Sequence, residues 1–213
     1  THCESSAASD VYKRQPEHYQ DLAAKIVSET PGSFFSDQFN NPSNPYIHET
    51  TTGPEIWNQM DGDIDAFVAG VGTGGTISGV GKFLKSKNPN LKLVVADPIG
   101  SVVADAVNKG SYKYENGSWL VEGIGEDHIP GNLNLDIIDE GIYVSDKKAF
   151  EMLNKLLQEE GILAGTSCGT LLEAAVEWCK AQKEPKKVVT LICDTGNKYL
   201  SKAYNKDWVE ENL

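Results

Sequence analysis

The run Gly70-Val71-Gly72-Thr73-Gly74-Gly75-Thr76 puts four glycines and two hydroxyl side chains into seven residues. It follows the apolar run Ile64–Val71 and leads into Thr76–Lys87, which has helical periodicity and is stopped by Pro89. A strand-to-helix turn of this kind aims unpaired N–H groups outward, and the helix dipole adds partial positive charge. Glycines let the backbone approach a ligand closely and adopt positive φ. A phosphate dianion suits that place. The plain alternative is a tight turn with no ligand. The spacing Gly70-x-Gly72-x-x-Gly75 also satisfies the dinucleotide fingerprint, and Asp97 lies about 20 residues on, where a ribose-binding acid would stand. Pattern alone therefore points to a nicotinamide or flavin oxidoreductase, or to a nucleotide-binding module. Thr73 and Thr76 weigh the other way, since their hydroxyls suit a terminal phosphate held from several sides.

A second glycine turn, Gly165-Thr166-Ser167-Cys168-Gly169, precedes the periodic segment Thr170–Lys183. Ser167 reads either as a ligand contact or as the N-cap of that helix. Cys168 has no histidine placed to activate it and reads as buried packing. Asp194 ends the apolar run Lys187–Cys193, and strand ends at the carboxyl edge face ligands in α/β sheets. His2, His18, His48 and His128 are dispersed, without metal-ligand spacing, and His48 reads as structural. Lys82, Lys85 and Lys87 read as surface lysines, and Trp57, Trp119, Trp178 and Trp208 as core or interface. The acidic pairs Asp63/Asp65 and Glu159/Glu160 read as solvated faces.

These residues need a scaffold, and the chain spells out an α/β one. Strand Ile64–Val71, the glycine turn, helix Thr76–Lys87 and strand Leu91–Ala96 make a crossover unit of a parallel sheet. The pattern repeats as Gly161–Ala164, the second turn, helix Thr170–Lys183 and strand Lys187–Cys193. Between the units Ser145 caps a helix with Phe150, Leu153, Leu156 and Leu157 on one face. Upstream, a helix from Pro16 carries Tyr19, Leu22, Ala23, Ile26 and Val27, and Pro31-Gly32 ends it. Ser33–Phe39 reads as a short strand, residues 40–45 as a loop, and a helix begins near Pro54. The expected fold is an open, mostly parallel twisted sheet with helices on both faces.

Composition narrows the function classes. The chain has 213 residues and a net charge of −12, so no basic footprint suits nucleic acid. No apolar run approaches the roughly 18 residues that span a bilayer. Four cysteines in this length do not make a disulfide scaffold. Residues 1–15 show no apolar periodicity and read as a disordered polar tail. From Ser5 to Gln15 they also resemble the translation of a sequencing-library adaptor, which sets them apart from fold reasoning. Setting them aside removes Glu4, Asp10, Lys13 and Arg14, and the charge stays at −12.

Recognition bears on the phosphate question. Residues 16–213 resemble the cystathionine β-synthase and cysteine synthase family, the fold-type II (tryptophan synthase β-like) pyridoxal-phosphate enzymes. The resemblance rests on VAGVGTGGTISGVGKFLK at Val68–Lys85, ADPIGS at Ala96–Ser101 and VEGIGEDHIP at Val121–Pro130. EGILAGTSCGTLLEAA at Glu160–Ala175 and CDTGNKYLSKAYNKDW at Cys193–Trp208 extend it. The second and third segments look most like cystathionine β-synthase. NPSNPYIHETTTGPEIW at Asn41–Trp57 is also typical of cysteine synthase, and Phe39 stands where many cystathionine β-synthases carry a tyrosine.

The resemblance implies that Gly72, Thr73, Gly74, Gly75 and Thr76 hold the phosphate of pyridoxal 5'-phosphate. It implies that Ser167 contacts the pyridine nitrogen and that Gly123, Ile124 and Gly125 flank the substrate. It implies a cytoplasmic homodimer or homotetramer acting on amino acids, with no nucleic-acid or membrane partner. The implied reaction joins L-serine and L-homocysteine into cystathionine and water, and the sister reaction makes cysteine from O-acetylserine and sulfide. The family's Schiff-base lysine belongs to an N-terminal segment with no counterpart in residues 16–213. The expectation is a C-terminal portion of a catalytic core, inactive alone, with any regulatory module lying beyond Leu213.

Overall fold

The computed structural model describes residues 19–113 and 117–213. The adaptor-like segment 1–15, Cys3, His2, His18 and the expected helix start at Pro16 lie outside the described residues. Among the described residues the sheet has four parallel strands in the order β3-β2-β1-β4. These are β1 (Ala66–Ala69), β2 (Lys92–Pro98), β3 (Glu140–Val144) and β4 (Val188–Val189). Ala66 to Ala69 pair with Lys92 to Val95, and Val94 to Pro98 pair with Glu140 to Val144.

Strand alternation divides the core into two layers. Ala66, Val68, Val94, Ala96 and Val144 face one side, where α6 (Asp146–Glu160) and α7 (Thr166–Ala181) bring Phe150, Leu153, Leu171 and Trp178. Phe67, Ala69, Val71, Leu93 and Val95 face the other, where α4 (Gly75–Lys87) brings Ile77, Val80 and Leu84. Strands covered on both faces explain the unbroken apolar runs of β1 and β2. Each buried leucine in these layers stabilises the fold by roughly 1.5–3 kcal/mol relative to exposure. Ser145 caps α6 as expected, its Oγ accepting from the Lys148 N–H.

Upstream lie α1 (Tyr19–Glu29), α2 (Ser43–Ile47) and α3 (Gly53–Gln59). Between α2 and α3, His48–Thr52 forms a π-helical turn. After β2 comes α5 (Val103–Lys109), and α8 (Lys206–Asn212) lies near the end of the chain. No helix among the described residues is long and apolar enough to cross a membrane.

Several expectations are corrected. Ser33–Phe39 is not a strand: no neighbour pairs with it, and Phe34 is 82% exposed. Residues 40–45 are only partly loop, because α2 starts at Ser43. Leu22 and Ile26 of α1 stay exposed, so the predicted apolar face is not buried. Gly161–Ala164 does not join the sheet; Ala164 makes only an isolated antiparallel bridge to Thr195. The strand expected over Lys187–Cys193 shrinks to Val188–Val189, because it has a neighbour on one side only. Beyond it the Thr190 hydroxyl donates to Val68 O at 2.9 Å, a side-chain bond in place of a ladder bond. Asp63 and Asp65 are more than a solvated face: Asp63 pairs with Lys187, and Asp65 Oδ2 accepts from the Lys187 N–H at 2.8 Å, holding β4 against β1.

Candidate cofactor site

The turn between β1 and α4 is shaped by close approaches. Gly74 has φ +78°, and a Cβ there would sit 2.9 Å from the Leu133 backbone nitrogen. A Cβ on Gly72 would sit 2.7 Å from Gly123 O. Both positions therefore require glycine. The first intrahelical bond runs from the Ser78 N–H to Gly74 O at 3.1 Å, as at any α-helix start, which leaves the preceding N–H groups without intrahelical acceptors. Among the described residues, the N–H groups of Gly72, Thr73, Gly74 and Thr76 have no acceptor. They are donors at the positive end of a 13-residue helix.

The two threonines are held from behind by residues of the α2–α3 region. Asn44 Nδ2 donates to Thr73 Oγ1 at 2.9 Å and to Gln38 O at 2.8 Å. The Gly75 N–H is 3.4 Å from the same Thr73 oxygen. Thr73 Oγ1 thus accepts twice, leaving its own hydrogen to donate to a ligand. His48 Nε2 lies 3.3 Å from Thr76 Oγ1, while Nδ1 lies 3.0 Å from Thr52 Oγ1. Burial lowers the His48 pKa and favours the neutral ring. With the proton on Nε2, the ring donates to Thr76 and leaves that hydroxyl free to donate outward. The π-helical turn at His48–Thr52 carries this histidine between its two threonine partners, a use for which such turns are known. Asn44 and His48 are the residues that sequence reasoning missed or undervalued. Their distance in sequence from the glycine turn concealed the contact; the Asn-Pro-Ser-Asn-Pro run before the histidine was the available signal.

The loop 121–126 ties this turn to the second one. The Gly125 N–H bonds Val71 O at 2.8 Å, and the Glu122 N–H bonds Thr166 Oγ1 at 2.9 Å. Ser101 secures the loop's far end: its Oγ donates to Glu126 O at 3.1 Å and accepts from the Glu126 N–H at 3.0 Å. Gly123 is exposed, whereas Ile124 and Gly125 are buried. Gly72–Thr76, Gly123–Gly125 and the start of α7 are therefore linked through consecutive contacts. Ser167 is buried in the first turn of α7. The helix begins at Thr166 rather than Thr170 and its N-cap is Gly165, so the N-cap reading of Ser167 is corrected.

Asp97 does not stand free for a ribose. It is fully buried, and its Oδ2 accepts from the Ala104 N–H at 2.8 Å, at the start of α5. Burial outweighs that bond and raises its pKa to about 6. The dinucleotide fingerprint therefore has its glycines but lacks an available acid. Asp194 Oδ2 accepts from the Tyr199 hydroxyl at 2.9 Å. The lysines singled out on α4 are surface groups, with Lys82 on Glu49 at 2.8 Å and Lys85 on Asp139 at 2.7 Å. Glu126, Asp127 and His128 bring three ligand-type atoms within 4.8 Å, a grouping that histidine spacing alone did not suggest.

The donor set fits a compact dianion with several oxygen acceptors: four unaccepted N–H groups, two threonine hydroxyls and a helix N-terminus. Comparison with known proteins agrees in kind. The profile of the family described as "Pyridoxal-phosphate dependent enzyme" matches residues 6–194, a span that begins inside the segment set apart by composition. The chain is 45% identical over 179 residues to a cysteine synthase of Staphylococcus aureus (strain Mu50 / ATCC 700699), covering 84% of this chain and 56% of that protein. It is 40% identical over 195 residues to a cystathionine beta-synthase of Apis mellifera, covering 92% of this chain and 38% of that protein. It is 39% identical over 197 residues to a cystathionine beta-synthase of Dictyostelium discoideum, covering 92% of this chain and 39% of that protein. The chain thus spans about half the length, or less, of the curated relatives it matches. With a family match over most of its length and 39–45% identity to these relatives, the chain belongs to the pyridoxal-phosphate dependent enzymes of the cysteine synthase and cystathionine β-synthase family.

Proposed function

We propose that this chain supplies the phosphate-binding half of an enzyme that replaces the β-substituent of an amino acid with a sulfur nucleophile. The observation that carries this reading is the row of unaccepted N–H groups at Gly72, Thr73, Gly74 and Thr76, at the N-terminus of α4. Pyridoxal phosphate, when bound, supplies an electron sink for bonds at the amino acid's α-carbon. Gly72–Thr76 would hold its phosphate. Thr73 and Thr76 would each donate a hydroxyl hydrogen, with Asn44 and His48 fixing their orientation. Ser167 would meet the pyridine nitrogen as a neutral partner, which favours losing a β-substituent over more demanding carbanion chemistry. Gly123, Ile124 and Gly125 would border the substrate, where the exposed, side-chain-free Gly123 leaves room.

For the whole enzyme the reading is condensation of L-serine with L-homocysteine to cystathionine and water, supported by the ADPIGS and VEGIGEDHIP segments. A second reading, cysteine synthesis from O-acetylserine and sulfide, is favoured by the higher identity to the Staphylococcus aureus relative. The test is to supply the polypeptide of the intact reading frame with each substrate pair and identify the product. Cystathionine supports the first reading and cysteine selects the second. A polypeptide that binds NADH, forms neither cystathionine nor cysteine and shows no pyridoxal-phosphate absorbance overturns both. The Ser167 role has its own test: Ser167→Asp in that enzyme should lower β-replacement turnover, and unchanged turnover refutes it.

A further inference from the structure

The structure holds a thiol pair that the proposed reaction does not use. Cys168 is fully buried in the first turn of α7, and Cys193 is exposed just beyond β4. The Cys193 backbone N–H donates to Cys168 Sγ at 3.2 Å, and the same sulfur lies 4.0 Å from Asp194 O, so the buried thiol sits against the Cys193–Asp194 main chain. The two segments are bonded independently of the sulfurs: the Gly165 N–H bonds Asp194 O at 3.0 Å, and the Gly196 N–H bonds Leu163 O at 3.0 Å. The backbone is therefore already gathered, and joining the sulfurs asks for side-chain rotation rather than movement of an element. We propose that Cys168 and Cys193 form a redox-active dithiol that closes reversibly into an intramolecular disulfide.

The chemistry divides between the two residues. Exposed Cys193 passes its proton to the Cys168 thiolate and attacks one sulfur of a small-molecule disulfide; the old S–S bond breaks, one small thiolate leaves and is protonated by solvent, and a mixed disulfide remains. Cys168 then gives up that proton to solvent, attacks the Cys193 sulfur as a thiolate and expels the second small thiolate, which solvent protonates. The protein loses two hydrogens and two electrons, and one small disulfide becomes two thiols. Cys168 is suited to the second step. The Cys193 thiol hydrogen bond pulls its pKa down to about 6 against the opposing effect of burial, and the N-terminus of α7 also favours its thiolate. Cys193 is pushed in the opposite direction, as expected when one proton serves two sulfurs.

The test equilibrates the 213-residue chain with glutathione buffers of rising oxidised fraction, quenches by alkylation and maps the bridged peptides by mass. The expected result is a 168–193 crosslink that forms and reverses with buffer composition, while Cys3 and Cys179 stay alkylated. In Cys168→Ser the expected product is a persistent glutathione adduct on Cys193. In Cys193→Ser, Cys168 should stay reduced throughout. Far-UV circular dichroism certifies that each variant is folded, and the wild-type mapping stands without them. A wild-type chain that accumulates only the Cys193 adduct, bridges to Cys3 or Cys179, or remains fully reduced across the series overturns the proposal.

Discussion

The turns that open α4 and α7 carry nearly the same residues, Gly-Thr-Gly-Gly-Thr at 72–76 and Gly-Thr-Ser-Cys-Gly-Thr at 165–170, yet they end as opposite devices. At the first, four N–H groups face no acceptor and both threonine hydroxyls are braced from behind. At the second, the Asp194 carboxylate lies beside the helix start without bonding its N–H groups. The Gly165 N–H bonds the Asp194 main-chain O, and a Cβ on Gly165 would run into the nearby Asp194 carboxylate, so negative charge already stands next to this turn. A third helix start, that of α5, is closed more directly, by the Asp97 carboxylate accepting the Ala104 N–H. Helix N-termini attract negative charge from any source. A glycine-rich helix start is therefore an anion site only where the fold leaves its own carboxylates elsewhere.

The largest expected effect tests the open turn itself. Gly74→Ala puts a Cβ against the Leu133 backbone at a positive-φ position, and should cost about 2–3 kcal/mol of stability and about 100-fold in pyridoxal-phosphate affinity. Denaturant titration and cofactor titration check the two parts. Full affinity in the folded variant would mean that the turn does not hold the phosphate.

Asp97 tests the closed start of α5 through pH. Its folded pKa is raised above the unfolded value, so the folded protein binds the extra proton between them. Stability is therefore greatest below about pH 4 for this group and is lost as pH rises through about 6. Asp97→Asn should remove that slope and gain on the order of 2 kcal/mol at neutral pH, read from unfolding midpoints across the series. An unchanged slope would show that burial of this carboxyl is not what sets it.

Next in size is the tie between the two turns. Thr166→Val strands the Glu122 N–H without its acceptor and should cost about 1–2 kcal/mol, with the 121–126 loop gaining hydrogen exchange. Smallest is Asn44→Ala, which frees Thr73 and should weaken cofactor binding about 10-fold with little change in unfolding midpoint. A loss of stability without a loss of affinity would make Asn44 a fold residue only.

The crossover from β1 through α4 to β2 was legible because all of its determinants are local: apolar runs, a glycine turn and a proline stop. The α6 cap at Ser145 was legible for the same reason. What escaped depends on neighbours far along the chain. β3, Glu140–Val144, is an edge strand with only Gly141 and Val144 buried, so it gave no apolar run. Ser33–Phe39 has strand-forming residues but no partner, and a strand exists only where another pairs with it. At the site, the glycines announced themselves, whereas Asn44 and His48 act across gaps of 29 and 28 residues. Asp97 misled for a related reason: its spacing was right for a ribose, and only the fold reveals that α5 already uses it.

The most direct test of this contrast reads both turns in one sample. Amide resonances of the 213-residue chain would be followed by NMR while inorganic phosphate is added. The prediction is saturable shifts at Gly72, Thr73, Gly74 and Thr76, with Gly165, Ser167 and Cys168 unmoved. Equal shifts at both turns, or none at the first, would contradict the claim that a free helix start, rather than glycine content, makes the cofactor site.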